Sequence, residues 1–126
     1  MSIKEKCQAE GITWVGSEGP TDAKIVICGE APGAEEERQG KPFVGGAGFL
    51  LDSILHQVGL TREQVYITNV IKVRPPENEV SRLPELGLSV SEFIPLLKEE
   101  VESVNPNLVV ALGATALQAL QMRRAL

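Results

Sequence analysis

Three short runs of apolar, largely β-branched residues constrain the fold of this chain more than any other feature of its sequence. They cover residues 24–28, 65–71 and 108–112. The first and third runs are almost continuously apolar, which is typical of parallel strands that are covered on both faces. Each run is short enough for a strand and ends in a turn signal. The sequence therefore predicts a buried, mostly parallel sheet.

Segments with helical spacing separate the runs. Apolar side chains recur three and four positions apart over residues 47–58 and again over 91–104. Gly59 is expected as a left-handed cap of the first helix, and Pro95 is expected in the first turn of the second. A third helix is expected after residue 113.

The order β-α-β-α-β-α implies right-handed crossovers and a three-layer α/β/α sandwich. At 126 residues the chain has the size of one domain, which we expect to cover 1–126. No apolar run approaches the roughly 18 residues that a membrane span needs. The first residues carry no export signal, so we expect a cytoplasmic protein.

Charge and metal-binding residues limit the classes of function. The net charge of −5 argues mildly against a general nucleic-acid binder, although a local positive patch would be enough for phosphate contacts. Cys28 lies in a strand-like run and is interpreted as a buried thiol, and His56, the only histidine, as a surface or packing residue. Together with Cys7 they are too few for a metal site, so no metal or other cofactor is expected.

The polar, glycine-rich segments follow the predicted strands, and ligands bind beyond the carboxyl ends of such strands. Gly29 and Gly33 bracket Glu30-Ala31-Pro32 after the first strand. Glycines here allow a sharp bend and a close approach of ligand to backbone, but a tight turn without a ligand has the same appearance. A nucleotide phosphate loop is a weaker alternative, because the Walker lysine and a Gly-x-Gly-x-x-Gly pattern are missing.

Single side chains on this rim allow more than one interpretation. The run Glu35-Glu36-Glu37 has the appearance of a solvated charge run, and Phe43 that of an ordinary core residue. Asn69 lies near the end of an otherwise apolar strand, where a buried amide must find hydrogen-bond partners. An amide is also the group that can pair with both a carbonyl and an imide N–H of a pyrimidine.

Taken together, these segments resemble the uracil-DNA glycosylase superfamily, specifically its family-four-like branch. The resemblance rests on four ordered blocks: GEAPG at 29–33, GKPFVGGAG at 40–48, YITNVIKVRPP at 66–76 and VALGATA at 110–116. It implies a hydrolase that cleaves the N-glycosidic bond of uracil in DNA, in base excision repair, after flipping the nucleotide out of the duplex. Uracil-containing DNA is the implied partner.

The resemblance also implies roles for individual residues. Phe43 would stack on the uracil, and Asn69 would bind the base edge and reject cytosine. The backbone at Glu30 and Ala31 would hold the hydrolytic water, and Glu36 would lie near the catalytic centre. Gly29 and Gly33 would make room for the base. A positive rim for phosphates would come from three cations: Lys72, Arg74 and Arg82.

Two departures from the family pattern affect these expectations. Typical members of the branch hold a four-iron cluster with four cysteines, whereas Cys7 stands alone here, Val73 occupies the third position and 89–91 offers no thiol. The cluster is therefore expected to be missing. The sequence also ends before the late His-Pro-Ser segment of the family, so we expect a truncated or naturally short form that lacks a C-terminal edge strand.

Two alternatives to an active glycosylase stay open from the sequence. The first is a superfamily member that binds DNA or uracil without cleaving it. The second is a small nucleotide-binding α/β domain unrelated to DNA, with which the acidic composition agrees.

Overall fold

A computed structural model describes residues 1–122 of the chain. The last residues, 123–126, lie outside the described part, as does the edge strand that was expected to be missing. The strands are β1 (Ile25–Gly29), β2 (Tyr66–Asn69) and β3 (Leu108–Ala111). The α-helices are α1 (Ile3–Ala9), α2 (Ala34–Gln39), α3 (Gly46–Gln57), α4 (Val90–Val104) and α5 (Ala114–Met122), with 3₁₀ segments at Arg62–Gln64, Pro76–Asn78 and Val80–Leu86.

The three strands form the predicted parallel sheet, and the structure shows their order to be β2-β1-β3. Gly29 is paired with Asn69 across β1 and β2, and Cys28 with Ala111 across β1 and β3. The central strand therefore carries the Gly-Glu-Ala-Pro-Gly segment at its carboxyl end, next to Asn69. This pairing brings the first and third sequence blocks to the same edge of the sheet.

Side chains alternate along the strands between two apolar cores. Val26 and Cys28 point to the larger core, which α4 and α5 cover, whereas Ile25 and Ile27 point to a smaller core under α3. The predicted three-layer α/β/α arrangement is confirmed. Every helix within residues 1–122 is too short or too polar to cross a bilayer.

Most predicted helix boundaries agree with the structure, and one local expectation is wrong. Gly59 has a φ of +80° after α3, and Asn105 ends α4 in the left-handed region. Pro95 lies inside α4 and not in its first turn, because the helix begins at Val90 with Ser89 and Glu92 forming a capping box. Burial of Phe93 and Leu97 on either side holds the helix together across the proline.

A groove of about 540 Å³ runs between α3 and β3. β3 is an edge strand of the sheet in the described part of the chain. Large apolar side chains beside it are exposed, among them Leu50, Ile54, Val58 and Leu108. The smaller core is therefore open to solvent along this edge.

Candidate functional site

A small cavity lies at the carboxyl ends of β1 and β2, under the start of α3. It encloses about 60 Å³ and is lined by Ala31, Glu36, Phe43, Ala47 and Asn69. Four of these residues are ones that the sequence singled out, and the fifth, Ala47, belongs to the second sequence block. Two parallel strands that end side by side are the reason that such distant segments meet here.

Asn69 is the buried polar residue of this cavity. Only 4% of its surface is exposed. It alternates with Thr68, so that Thr68 faces α4 while the Asn69 side chain lies on the α3 side, at the cavity. The Asn69 amide makes no hydrogen bond to another residue from 1 to 122, and because no fully buried side-chain nitrogen or oxygen in this part of the chain lacks a partner, the amide is open to the cavity. Its donors and acceptor are thus left for whatever enters the cavity.

Gly29 leaves the space in which the amide and the aromatic ring meet. A β-carbon built on Gly29 would lie 2.4 Å from Cζ of Phe43 and 2.6 Å from Oδ1 of Asn69. Both distances are far below van der Waals contact, so any larger residue would displace one of the two side chains. The glycine is required by this close approach and not by a left-handed backbone, because no positive φ occurs at this position.

The backbone of Phe43 is held in an uncommon conformation. Its φ is +53°, in the left-handed region that costs a non-glycine residue about 1–2 kcal/mol. Arg62 holds this turn by donating to the carbonyl of Phe43 at 2.7 Å and to that of Pro42 at 2.6 Å. Gly48 of α3 packs so closely that a β-carbon there would lie 1.9 Å from the Phe43 carbonyl oxygen. Sequence reasoning missed Arg62, because nothing in the sequence connects it with a turn that precedes it by one whole helix.

Glu36 holds together the two loops that form the cavity. One carboxylate oxygen accepts from the N–H of Gly33 at 3.0 Å, and the other accepts from Val44 at 3.0 Å and Gly45 at 2.8 Å. Burial alone would raise the pKa of this carboxyl, but the three N–H donors outweigh it and hold the pKa below its ordinary value. The second glutamate of the run is therefore an ionised structural anchor at the cavity, and the run is not merely a solvated surface.

Glu30 and Ala31 present backbone N–H groups at the mouth of the site. Neither N–H donates to a described residue, while the carbonyl of Glu30 accepts from Ile71 at 2.9 Å. The Glu30 side chain points away and accepts from Thr115 Oγ1 at 2.6 Å, which ties the first loop to α5. The structure thus brings the first and fourth sequence blocks into contact.

The cations expected around the site are placed differently from the prediction. Lys72 was expected on a phosphate-binding rim, but it is 4% exposed and forms an ion pair of 2.6 Å with Glu100 inside the molecule. That expectation is wrong, because Glu100 of α4 supplies a carboxylate that pairs with the ammonium away from solvent. Arg82 makes a two-fold contact with Glu85, and Arg74 lies 4.0 Å from Glu37. Arg74 remains beside the first loop and partly exposed.

An iron–sulfur cluster does not fit the residues at its expected position. Val73 is fully buried in the larger core, as is Cys7, and residues 1–122 contain no group of three or more His, Cys, Asp or Glu side chains that could hold a metal ion. Burial raises the pKa of the Cys28 thiol to about 12, so this cysteine stays protonated. Cys7 and Val73, which stand at expected cluster positions, are therefore packed in the apolar core.

Comparison with known proteins agrees with the four sequence blocks. A family model described as the uracil DNA glycosylase superfamily matches residues 17–126. The type-4 uracil-DNA glycosylase of Thermotoga maritima is 48% identical over 103 residues, which are 82% of this chain and 52% of that protein. The type-4 enzyme of Archaeoglobus fulgidus is 46% identical over 105 residues, 83% of this chain and 51% of that protein.

A type-5 uracil-DNA glycosylase of Pyrobaculum aerophilum is less similar, at 33% identity over 117 residues, 81% of this chain and 50% of that protein. The chain thus spans about half the length of these relatives, and it is nearer to the type-4 sequences than to this type-5 sequence. With a family match over most of its length and a parallel α/β sheet that carries the four blocks, the chain belongs to the uracil DNA glycosylase superfamily, in its family-four-like branch.

Proposed function

We propose that this chain carries the base-binding pocket of a uracil-DNA glycosylase, which hydrolyses the N-glycosidic bond of uracil in DNA during base excision repair. The observation that carries the proposal is the Asn69 amide, which faces the cavity without a hydrogen-bond partner among residues 1–122 and lies beside the ring of Phe43. An edge that forms hydrogen bonds and a ring that stacks are the two contacts by which a flipped-out base is read.

The Asn69 amide suits uracil and disfavours cytosine. Its NH₂ can donate to a uracil carbonyl while its oxygen accepts from the neighbouring imide N–H. Cytosine presents an amino donor where uracil has a carbonyl, so the amide NH₂ would face another donor. A buried unmatched polar group costs about 1–3 kcal/mol, which supports discrimination at this position.

The chemistry would break the C1′–N1 bond, with water adding to C1′ and one proton passing to the departing base. Charge in the transition state resembles that of an oxocarbenium ion, which a fixed carboxylate stabilises. Glu36 supplies an ionised carboxylate at the cavity, and we assign the hydrolytic water to the N–H groups of Glu30 and Ala31, which donate to no described residue. Gly33 contributes by donating its N–H to the Glu36 carboxylate.

The proposed partner is uracil-containing DNA, and the proposed location is the cytoplasm. Arg74 is the cation that we retain as a phosphate contact, because its ion pair with Glu37 is long and its side chain is partly exposed beside the first loop. Both cysteines are free and buried, which agrees with a reducing compartment.

A second candidate is a superfamily member that binds uracil or DNA without cleaving it. The observation that favours it is the engagement of Glu36: both of its carboxylate oxygens already accept from backbone N–H groups, of Gly33 on one side and of Val44 and Gly45 on the other.

The deciding experiment is single-turnover cleavage of a single-stranded oligonucleotide with one uracil, with protein in excess. The parent chain is compared with Asn69→Ala and with Asn107→Ala, an exposed asparagine that precedes β3. We expect abasic sites from the parent and from Asn107→Ala, and a rate lower by roughly 5-fold to roughly 150-fold in Asn69→Ala, as the loss of 1–3 kcal/mol gives.

Two results would contradict the proposal. If the folded parent makes no abasic sites but binds uracil-containing DNA more tightly than the cytosine-containing equivalent, the second candidate replaces the first. If it shows neither activity nor preference, the pocket has another ligand, and mononucleotides are the next probe.

A further inference from the structure

A buried polar cluster lies directly behind the pocket, on the opposite face of β2. Its members are Tyr66, Thr68, Lys72 and Glu100, all of them at or near the end of β2 or on α4. The Lys72 ammonium has three donors and finds three acceptors: Glu100 Oε1 at 2.6 Å, Thr68 Oγ1 at 2.5 Å and the Asn69 carbonyl at 2.5 Å. Glu100 also accepts from the hydroxyls of Tyr66 at 2.6 Å and Thr68 at 3.0 Å. The Tyr66 hydroxyl also shares a hydrogen bond of 2.5 Å with Ser17, so the cluster extends to the segment before β1.

One contact of this cluster reaches the backbone that carries the base-binding amide. The peptide group between Asn69 and Val70 is held at both ends, because its carbonyl accepts from Lys72 and its N–H donates to the carbonyl of Gly29 at 2.9 Å. The Cα of Asn69 is bonded directly to this peptide, so a displacement of the peptide would carry the Asn69 side chain with it. The position of the amide in the cavity therefore depends on a lysine that lies on the other side of the strand.

We propose that Lys72 and Glu100 are positioning residues for Asn69: Glu100 on α4 holds the ammonium, and the ammonium fixes the peptide from which the Asn69 amide enters the pocket. For base recognition this inference rests on the proposed function. The geometric part, that the pair fixes the Asn69–Val70 peptide, does not depend on any activity.

A buried ion pair that only stabilises the fold would leave the Asn69–Val70 peptide unchanged when both of its members are replaced. Replacing both members of a buried pair by neutral groups of similar size is often neutral for stability, whereas replacing one leaves a buried charge without a partner. The double variant Lys72→Met/Glu100→Gln therefore removes the donor to the Asn69 carbonyl and avoids an unpaired charge. Lys98→Met/Glu99→Gln is the matched control, since it makes the same charge change on α4 where neither side chain has a hydrogen-bond partner among the described residues.

The first readout needs no enzymatic activity. Amide hydrogen exchange and side-chain NH₂ resonances are followed by NMR in both double variants, together with the free energy of unfolding. We expect the Lys72/Glu100 variant to retain its global stability, to exchange the Val70 amide about tenfold faster and to shift the Asn69 NH₂ resonances, as loss of one hydrogen bond of about 1.4 kcal/mol gives. The control should change neither.

The second readout separates positioning from DNA binding. We expect single-turnover cleavage by the Lys72/Glu100 variant to fall about tenfold or more. Its affinity for uracil-free DNA and the salt dependence of that affinity should stay parental, because the Lys72 ammonium is buried against Glu100.

Three results would overturn the inference. One is unchanged Val70 exchange and unchanged Asn69 resonances in the stable double variant. Another is parental cleavage by that variant, and the third is a DNA affinity that falls with the lysine. If the parent chain itself does not cleave, the proposed function fails, whereas the exchange experiment still decides this inference.

Discussion

Replacement of Gly29 by alanine tests the pocket with a single methyl group. The added β-carbon would lie 2.4 Å from the Phe43 ring and 2.6 Å from the Asn69 amide oxygen. One of the two side chains must therefore move by about an ångström or more to reach ordinary contact. The Phe43 ring is half-buried and has room to move outward, whereas Asn69 is enclosed. The methyl group would then separate the stacking ring from the amide edge.

The expected effect on stability is small and that on base recognition is large. Overpacking costs about 1–3 kcal/mol, and the lower end applies here because the ring can move into solvent. Stacking of a base on an aromatic side chain contributes about 1–3 kcal/mol, so its loss lowers uracil-specific cleavage by about 5-fold to about 150-fold. The two measurements are thermal unfolding and single-turnover cleavage.

A matched pair of glycines controls for the substitution itself. Gly46 begins α3, and a β-carbon there would meet no atom within 4 Å, so Gly46→Ala should leave cleavage unchanged. A parental cleavage rate in Gly29→Ala, with Gly46→Ala also parental, would refute the assignment of the space beside Gly29 to the base.

Four further outcomes are expected. Arg62→Ala should lower cleavage more than it lowers stability, as measured by kinetics and thermal unfolding, because two carbonyls of the Phe43 turn lose their charged donor. Phe43→Gly should be more stable than Phe43→Ala by about 1 kcal/mol in chemical denaturation, since glycine removes the left-handed penalty, and both should lose uracil affinity. The lowered pKa of Glu36 means that its contribution to stability is present above about pH 4.5 and is lost as the pH falls through the folded-state value, so Glu36→Gln should show a shallower loss of stability in acid. Arg74→Ala should reduce the salt dependence of DNA affinity by a slope of about 1 in a titration, and an unchanged slope would remove Arg74 from the interface.

The strands and three of the helices could be predicted because each carries an apolar pattern of its own. The runs that form β1 and β3 are almost continuously apolar, and α4 carries Phe93, Leu97 and Val101 at helical spacing. α2 could not be predicted in this way, because it buries no residue, and its acidic first turn resembles any exposed charge run. Its place is defined by contacts of Glu36 with a loop eight and nine positions later.

The site was predicted in part, and the reason is the range of its contacts. Motif blocks identified Gly29, Phe43 and Asn69, which the structure brings together. The hydrogen bonds from Arg62 to the Phe43 turn join chain segments that meet only in the folded molecule. Lys72 was misplaced for the same reason: a lysine after a strand suggests a solvent-facing rim unless a partner such as Glu100, far along the sequence, is known to lie beneath it.

The parallel pairing of Gly29 with Asn69 has a consequence for how the protein folds. Parallel neighbours need a long crossover, and here α2, α3 and the turn that carries Phe43 all lie within it. The chain must close this large loop before any contact between the two strand ends forms, which makes such pairings slow. The pocket therefore has no local precursor in the unfolded chain. In a refolding experiment, uracil affinity should be regained in the final cooperative phase. A peptide that stops before Asn69 should have no affinity for uracil.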